Sequence, residues 1–236
     1  VFGADPVEVD EIYDECMECA ETLRPHIKDT VGRVRRHIKD GKGILLEGAQ
    51  GTMLDINFGT YPYVTSSNVA AGGAAVGTGI PPSRVDRVLG VVKAYTSRVG
   101  EGPFPTEKKG EIGETLRERG QEYGSTTGRP RRCGWLDGVA LSHAAAINGV
   151  EDIVLSSLDV LSAFDTLKIA TSYELEGTHV TDFPAGVREL EEVSVVYEEF
   201  KGWGDDITGA RTWDDLPPEA HRSIQAVEEI VDVNAK

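Results

Sequence analysis

Residues 136–159, LDGVALSHAAAINGVEDIVLSSLD, decide the fold. The alanine-rich stretch from Leu136 to Asn148 predicts a buried helix, and Ile153 to Ser157 predicts a strand that ends at Leu158-Asp159. Working outward, Gly110 to Arg119 reads as a short helix. Pro81-Pro82-Ser83 precedes a helix over about Val85 to Lys93, and Ala94 to Val99 either continues it or turns into a strand. Downstream, Leu167 to Leu175 and Val193 to Phe200 are further strands. Leu216 to Val231 is an amphipathic helix opened by Pro217 and Pro218, as proline in a first turn allows. Strands alternating with helices make an α/β chain.

Towards the start of the chain, Ile12, Tyr13, Cys16, Ala20, Leu23 and Ile27, then Val31, Val34 and Ile38, recur at steps of three and four. They predict an amphipathic helix over residues 7–40, kinked or split at Pro25. Ile44 to Glu47 predicts a short buried strand. Residues 69–79, dominated by alanine and glycine, suit either tight backbone packing or mobility. With no internal repeat and no linker, residues 1–236 read as a single domain.

The formal net charge of −16 argues against nucleic-acid or anionic-membrane partners. No apolar run approaches the ~18 residues that a membrane helix needs, and the N-terminus lacks a signal-peptide pattern. Arginine outnumbers lysine and carboxylates are abundant. That balance suits a salt-rich interior, with an ordinary acidic enzyme as the alternative. Cys16 and Cys19 form a lone CxxC pair without a second pair or a nearby histidine, so they read as core or exposed helix thiols rather than a zinc site. Such usage of the three cysteines fits a reducing cytoplasm. His26, His37, His143, His179 and His221 show no metal-ligand spacing, and Trp135, Trp203 and Trp213 are expected to pack structurally.

Against this acidic background, Gly124-Ser125-Thr126-Thr127-Gly128-Arg129-Pro130-Arg131-Arg132 sets three arginines within four residues. Forked guanidinium donors match carboxylate or phosphate oxygens, and glycine lets backbone approach a ligand closely. The stretch reads as a loop that grips a small anion, or else as surface arginines paired with surplus carboxylates. Gly48-Ala49-Gln50-Gly51-Thr52 follows the strand-like run Ile44-Leu45-Leu46-Glu47. Next come Gly59-Thr60-Tyr61-Pro62-Tyr63-Val64-Thr65-Ser66-Ser67-Asn68 and Arg98-Val99-Gly100-Glu101-Gly102-Pro103-Phe104-Pro105-Thr106-Glu107, and, beyond the arginines, Gly134-Trp135-Leu136-Asp137.

In this order the strings resemble the adenylosuccinate synthetase family, from about Val7 to the end of the chain. The resemblance implies a central, mostly parallel sheet flanked by helices, in a P-loop-NTPase-like architecture. It also implies ligation of inosine monophosphate (IMP) to L-aspartate at the expense of GTP, in AMP biosynthesis. The reaction runs through a 6-phosphoryl-IMP intermediate with Mg²⁺, in a cytoplasmic homodimer. Residue by residue, Gln50, Thr65, the Val99 carbonyl and Arg129 match IMP contacts. Ser125, Thr126, Thr127, Gly128, Arg129 and Arg131 match the aspartate loop. Arg131, Ser157 and Asp159 match the GTP side, with Ser157 standing where the family has lysine; Asp159 is alternatively a helix N-cap. Arg132 is expected to carry surface charge only.

The family's glycine-rich phosphate loop, its aspartate base, its histidine acid and its Mg²⁺ ligands have no match in these residues. No catalytic or metal residue is therefore assigned. The chain, which opens on valine, reads as an internal piece of the enzyme. A non-catalytic purine-nucleotide-binding protein on the same scaffold is the alternative.

Overall fold

The computed structural model describes residues 3, 6–125 and 128–235. The first helices are α1 (Val9–Leu23) and α2 (Thr30–Lys39), split by a 3-10 turn at Arg24–His26 that contains Pro25. Asp29 caps α2, its Oδ1 accepting the Gly32 N–H at 2.9 Å. The alanine–glycine stretch forms α3 (Ala71–Thr78). Then follow β1 (Leu89–Lys93), β2 (Thr96–Arg98), α4 (Glu111–Arg119), β3 (Arg132–Gly134), β4 (Leu136–Asp137), α5 (Gly138–Asn148) and β5 (Asp152–Ser156). The chain continues through β6 (Thr166–Leu175), β7 (Thr178–Val180), α6 (Val187–Glu192), β8 (Ser194–Lys201), α7 (Pro218–Val231) and β9 (Asn234–Ala235).

One sheet is parallel, of order β1-β5-β9, with Leu89 opposite Asp152 and Lys93 opposite Ser156. A second sheet pairs β4 with β6 in parallel and sets β7 and β8 antiparallel to β6. Leu136, Ala145, Ile153, Ile169, Val227 and Val231 bury α5 and α7 against β5 and β6. The helix over 138–148 starts where Asp137 accepts the Ala140 N–H at 3.1 Å and ends at Gly149, whose φ of 59° suits glycine. The Asp137 carboxylate also takes the Tyr173 hydroxyl at 2.7 Å, and burial pushes its pKa up. The α/β class and the parallel sheet agree with the sequence reading.

Three local expectations need correction. Val85 to Lys93 is no helix: β1 occupies its second half, because Val91 and Val92 gain ladder bonds to β5 that outweigh local helix propensity. Ile44 to Glu47 forms no strand. Among the described residues nothing pairs with it, and Leu45 is 91% exposed. The apolar stripe of α1 is not packed: Ile12, Tyr13 and Leu23 are exposed, and Cys16 and Cys19 with them. The short elements β3, β4, β7, α6 and β9 have no counterpart in the sequence reading, and β4 takes the first two residues of the helix expected from Leu136.

Candidate functional site

Residues 51–70 form a loop wound around Asp55, which is wholly buried. Its Oδ1 accepts the amides of Asn57 (2.8 Å) and Phe58 (3.1 Å), and its Oδ2 those of Val69 (2.7 Å) and Ala70 (3.0 Å). Burial works to raise the carboxyl pKa, but the four amides outweigh it and hold the group below its ordinary value. Within this loop the Thr65 amide donates to the Leu54 carbonyl at 2.8 Å. Gln50 stands exposed at the loop's entrance with φ 64°, a left-handed conformation uncommon for a residue other than glycine. Asn148, at the end of α5, pins the entrance. Its Nδ2 donates to Thr52 Oγ1 at 2.9 Å, and its Oδ1 accepts the Ala71 amide at 2.7 Å.

Arg98 joins this loop to β2. Its Nη2 donates to Thr60 Oγ1 (2.9 Å) and to the Tyr63 carbonyl (3.1 Å), and its Nε to the Glu101 carbonyl (3.0 Å). Val99 follows immediately and is exposed. Strands β2 and β3 are antiparallel with Arg98 opposite Arg132. One residue beyond that pair on each strand lie Val99 and Arg131, so an IMP candidate and an aspartate-loop candidate emerge side by side.

Arg132 is no mere surface charge, which corrects the sequence reading. Its Nε and Nη2 meet both oxygens of Glu107 at 2.9 and 2.6 Å, and its Nη1 reaches the Gly102 carbonyl at 2.8 Å. The pair holds Glu107 below the ordinary carboxyl range, the hydrogen bond from Arg132 being the main cause.

The arginine loop closes on itself. Tyr123 bridges Pro130, the Gly124 amide donates to the Arg129 carbonyl, and the Gly128 amide donates to the Gly124 carbonyl, both at 2.8 Å. Gly128 has φ 65°, which its closing turn requires. Ser125, Gly128 and Arg129 are exposed, and Arg129 engages other groups of the chain. Thr126 and Thr127 lie outside the described residues.

At the loop's base sits Glu122, 1% exposed. Its Oε2 accepts from Arg131 Nη1 at 2.9 Å, while its Oε1 accepts from the Tyr95 hydroxyl at 2.5 Å and from Lys93 Nζ. Burial tends to raise its pKa; Lys93, Tyr95 and Arg131 reverse that and keep the carboxylate ionised. A buried carboxylate is costly unless paired and hydrogen-bonded, and here both oxygens are engaged.

The guanine candidates leave the carboxyl end of β5, where open α/β sheets place ligands. Ala94 donates its amide to the Ser156 carbonyl at 2.9 Å, which sets Tyr95 and Ser157 next to each other; the Ser157 side chain also acts on the Tyr95 hydroxyl. Ser157 has φ 58° and opens a 3-10 segment, Leu158–Ala163. Asp159 lies in its first turn, half-buried, and does not cap it; among the described residues no donor reaches its carboxylate. The alternative role as an N-cap is thereby withdrawn. Trp135 packs edge-on to Phe164 at 5.1 Å, and Trp203 Nε1 donates to Ser162 Oγ at 2.7 Å, which fixes the segment. Trp213 is 47% exposed and stacks on His221 rather than entering the core.

Lys93, Tyr95, Arg98, Asp55, Asn148 and Glu122 escaped the sequence reading. A single glutamate in so acidic a chain carries no signal; its place two residues before Gly124 was the one available cue.

These features define an α/β protein whose loops offer amide, hydroxyl and guanidinium groups, with the Ser157–Asp159 segment leaving the carboxyl edge of a parallel sheet. The chain belongs to the adenylosuccinate synthetase family, whose model matches residues 2–236. It is 54% identical over 233 residues to the adenylosuccinate synthetase of Moorella thermoacetica, covering 99% of this chain and 55% of that protein. To the one of Thermoanaerobacter sp. it is 50% identical over 235 residues, with 100% and 55% covered. The structure of a fully ligated adenylosuccinate synthetase from Plasmodium falciparum superposes with a TM-score of 0.94 at 38% identity, covering 98% of this chain and 55% of that one. The chain spans about half the length of the relatives it matches.

Proposed function

We propose that the protein acts as a GTP-dependent ligase that forms a C–N bond between IMP and L-aspartate to give adenylosuccinate, in AMP biosynthesis. The observation that carries this reading is the meeting of three segments. The loop of Gln50 and Thr65 is joined to Val99 through Arg98, Val99 emerges beside Arg131, and Arg131 is tied through Glu122 and Tyr95 to the start of the Ser157–Asp159 segment.

In this reading the Gln50 amide and the Val99 carbonyl address the base and ribose of IMP, and Thr65 its phosphate. Arg129, with Ser125, Thr126, Thr127 and Gly128, holds the aspartate carboxylates, and Arg131 stands between aspartate and GTP. Asp159 offers two acceptor oxygens to the N1–H and exocyclic amine of guanine. The IMP 6-oxygen takes the γ-phosphoryl group of GTP with release of GDP; the aspartate amine then displaces phosphate at C6. Phosphoryl transfer rests on positioning and charge stabilisation, which these side chains supply for IMP and aspartate.

The family works with Mg²⁺. Among the described residues no group of three or more His, Cys, Asp or Glu stands together to hold an ion, so no step is assigned to a metal bound by this chain. Among the same residues no helix is long and apolar enough to cross a membrane. A homodimer in the cytoplasm, folded as one domain over residues 1–236, completes the proposal.

The test is product absorbance with the complete gene product. Turnover should require IMP, GTP and aspartate together. Binding of nucleotide without turnover would overturn the reading.

A further inference from the structure

Two observations single out Glu122. It is the most deeply buried acidic group beside the arginine loop, and it joins that loop to the rigid parallel sheet. Lys93 is the last residue of β1, and Tyr95 lies two residues beyond; both donate to Oε1. Lys93 Nζ is further fixed by Ser97 Oγ at 3.1 Å in β2. On the other oxygen, Arg131 is held twice to the same residue, by Nη1 on Oε2 and by its backbone amide on the Glu122 carbonyl, each at 2.9 Å. The Arg131 carbonyl is engaged as well, accepting from Arg117 Nε at 2.8 Å. The neighbouring Ser125, Gly128 and Arg129 are exposed, whereas Arg131 is rooted at this base.

We propose that Glu122 is a positioning residue for Arg131, with Lys93 and Tyr95 as its anchors on the sheet. It makes no contact with substrate. It fixes the direction of the Arg131 guanidinium, whose Nε is buried, so that the Nη2 N–H groups are presented to an anionic ligand without first being ordered by it. Pre-organisation of this kind lowers the cost of binding and shows in the ligand that the arginine meets. In a low-dielectric site, loss of one member of such a network is felt by the others. The inference rests on the reading of Arg131 as an aspartate-side residue.

The experiment uses the complete gene product and reads KM for aspartate, KM for IMP and kcat. Glu122→Gln cannot accept from Arg131 and from both anchors at once. It should raise KM for aspartate about tenfold, the size expected for a lost charge-assisted bond, with KM for IMP within about twofold. Tyr95→Phe keeps the buried ring, removes one anchor and should raise the aspartate KM about threefold. In an Arg131→Ala background neither change should raise it further, since the guanidinium they position is gone. Should Glu122→Gln fail to fold, the same cycle is run with Tyr95→Phe. Additive effects, or equal losses for aspartate and IMP, would overturn the inference while leaving the proposed reaction intact. A wild-type protein that forms no adenylosuccinate would overturn both.

Discussion

Arg131 is bound to Glu122 at two points, backbone amide to carbonyl and Nη1 to Oε2, each at 2.9 Å. This double attachment turns the run of arginines into a loop with a fixed base. It also separates the roles of the three arginines: Arg129 lies exposed on the loop, Arg131 is held at its root, and Arg132 is turned back onto Glu107.

Arg132→Ala should destabilise the fold by about 2 kcal/mol, since hydrogen bonds to charged groups contribute about 1.5–3 kcal/mol each and the pair is partly exposed. It removes both bonds to Glu107 and the contact with the Gly102 carbonyl. The measurement is the urea midpoint of the variant against wild type. An unchanged midpoint would return Arg132 to the role of surface charge.

Arg129→Ala should raise KM for aspartate by tenfold or more, with IMP less affected. Steady-state kinetics on the complete gene product decides it. A loss of stability without a change in aspartate dependence would remove the carboxylate grip from this loop.

Asp55 should make the 51–70 loop acid-sensitive. Its folded pKa lies below the ordinary 3.8, so the unfolded chain takes up the proton first as pH falls. The stabilisation is complete above about pH 4 and is lost as pH drops through the folded value. Asp55→Asn should remove this acid dependence and destabilise at neutral pH, because an amide NH₂ must then face a pair of backbone amides. Thermal melts of both proteins between pH 7 and pH 2.5 provide the test. Parallel pH curves would contradict it.

Most helices and strands from Glu111 to Val231 are legible because their periodicity agrees with the tertiary structure, and Pro218 in the first turn of α7 is a local signal; the start of α5 is not, since Leu136 and Asp137 join β4 instead. Val85 to Lys93 was misread because a strand in a parallel sheet is decided by its partner; Leu89 to Lys93 takes its state from β5. The candidate ligand segments stand out as strings, since their glycines, hydroxyls and arginines are unusual in sequence. Their supports were not. Glu122, Arg98 and Asn148 act across 9 to 96 positions, and no local pattern encodes such pairings.

Asp159 offers the most direct test of the central claim that this chain supplies part of a GTP-dependent ligase. Its carboxylate is free of local donors among the described residues and caps no helix. Asp159→Asn converts one acceptor to a donor, and the 2-oxo group of xanthosine triphosphate can accept from the new amide. The measurement is the ratio of kcat/KM for GTP to that for xanthosine triphosphate, in wild type and variant of the complete gene product. The wild-type ratio should lie well above one and fall about a hundredfold or more in the variant, because a site built on paired hydrogen bonds rejects the mismatched partner strongly. The same ratio in both, from folded proteins, would contradict it.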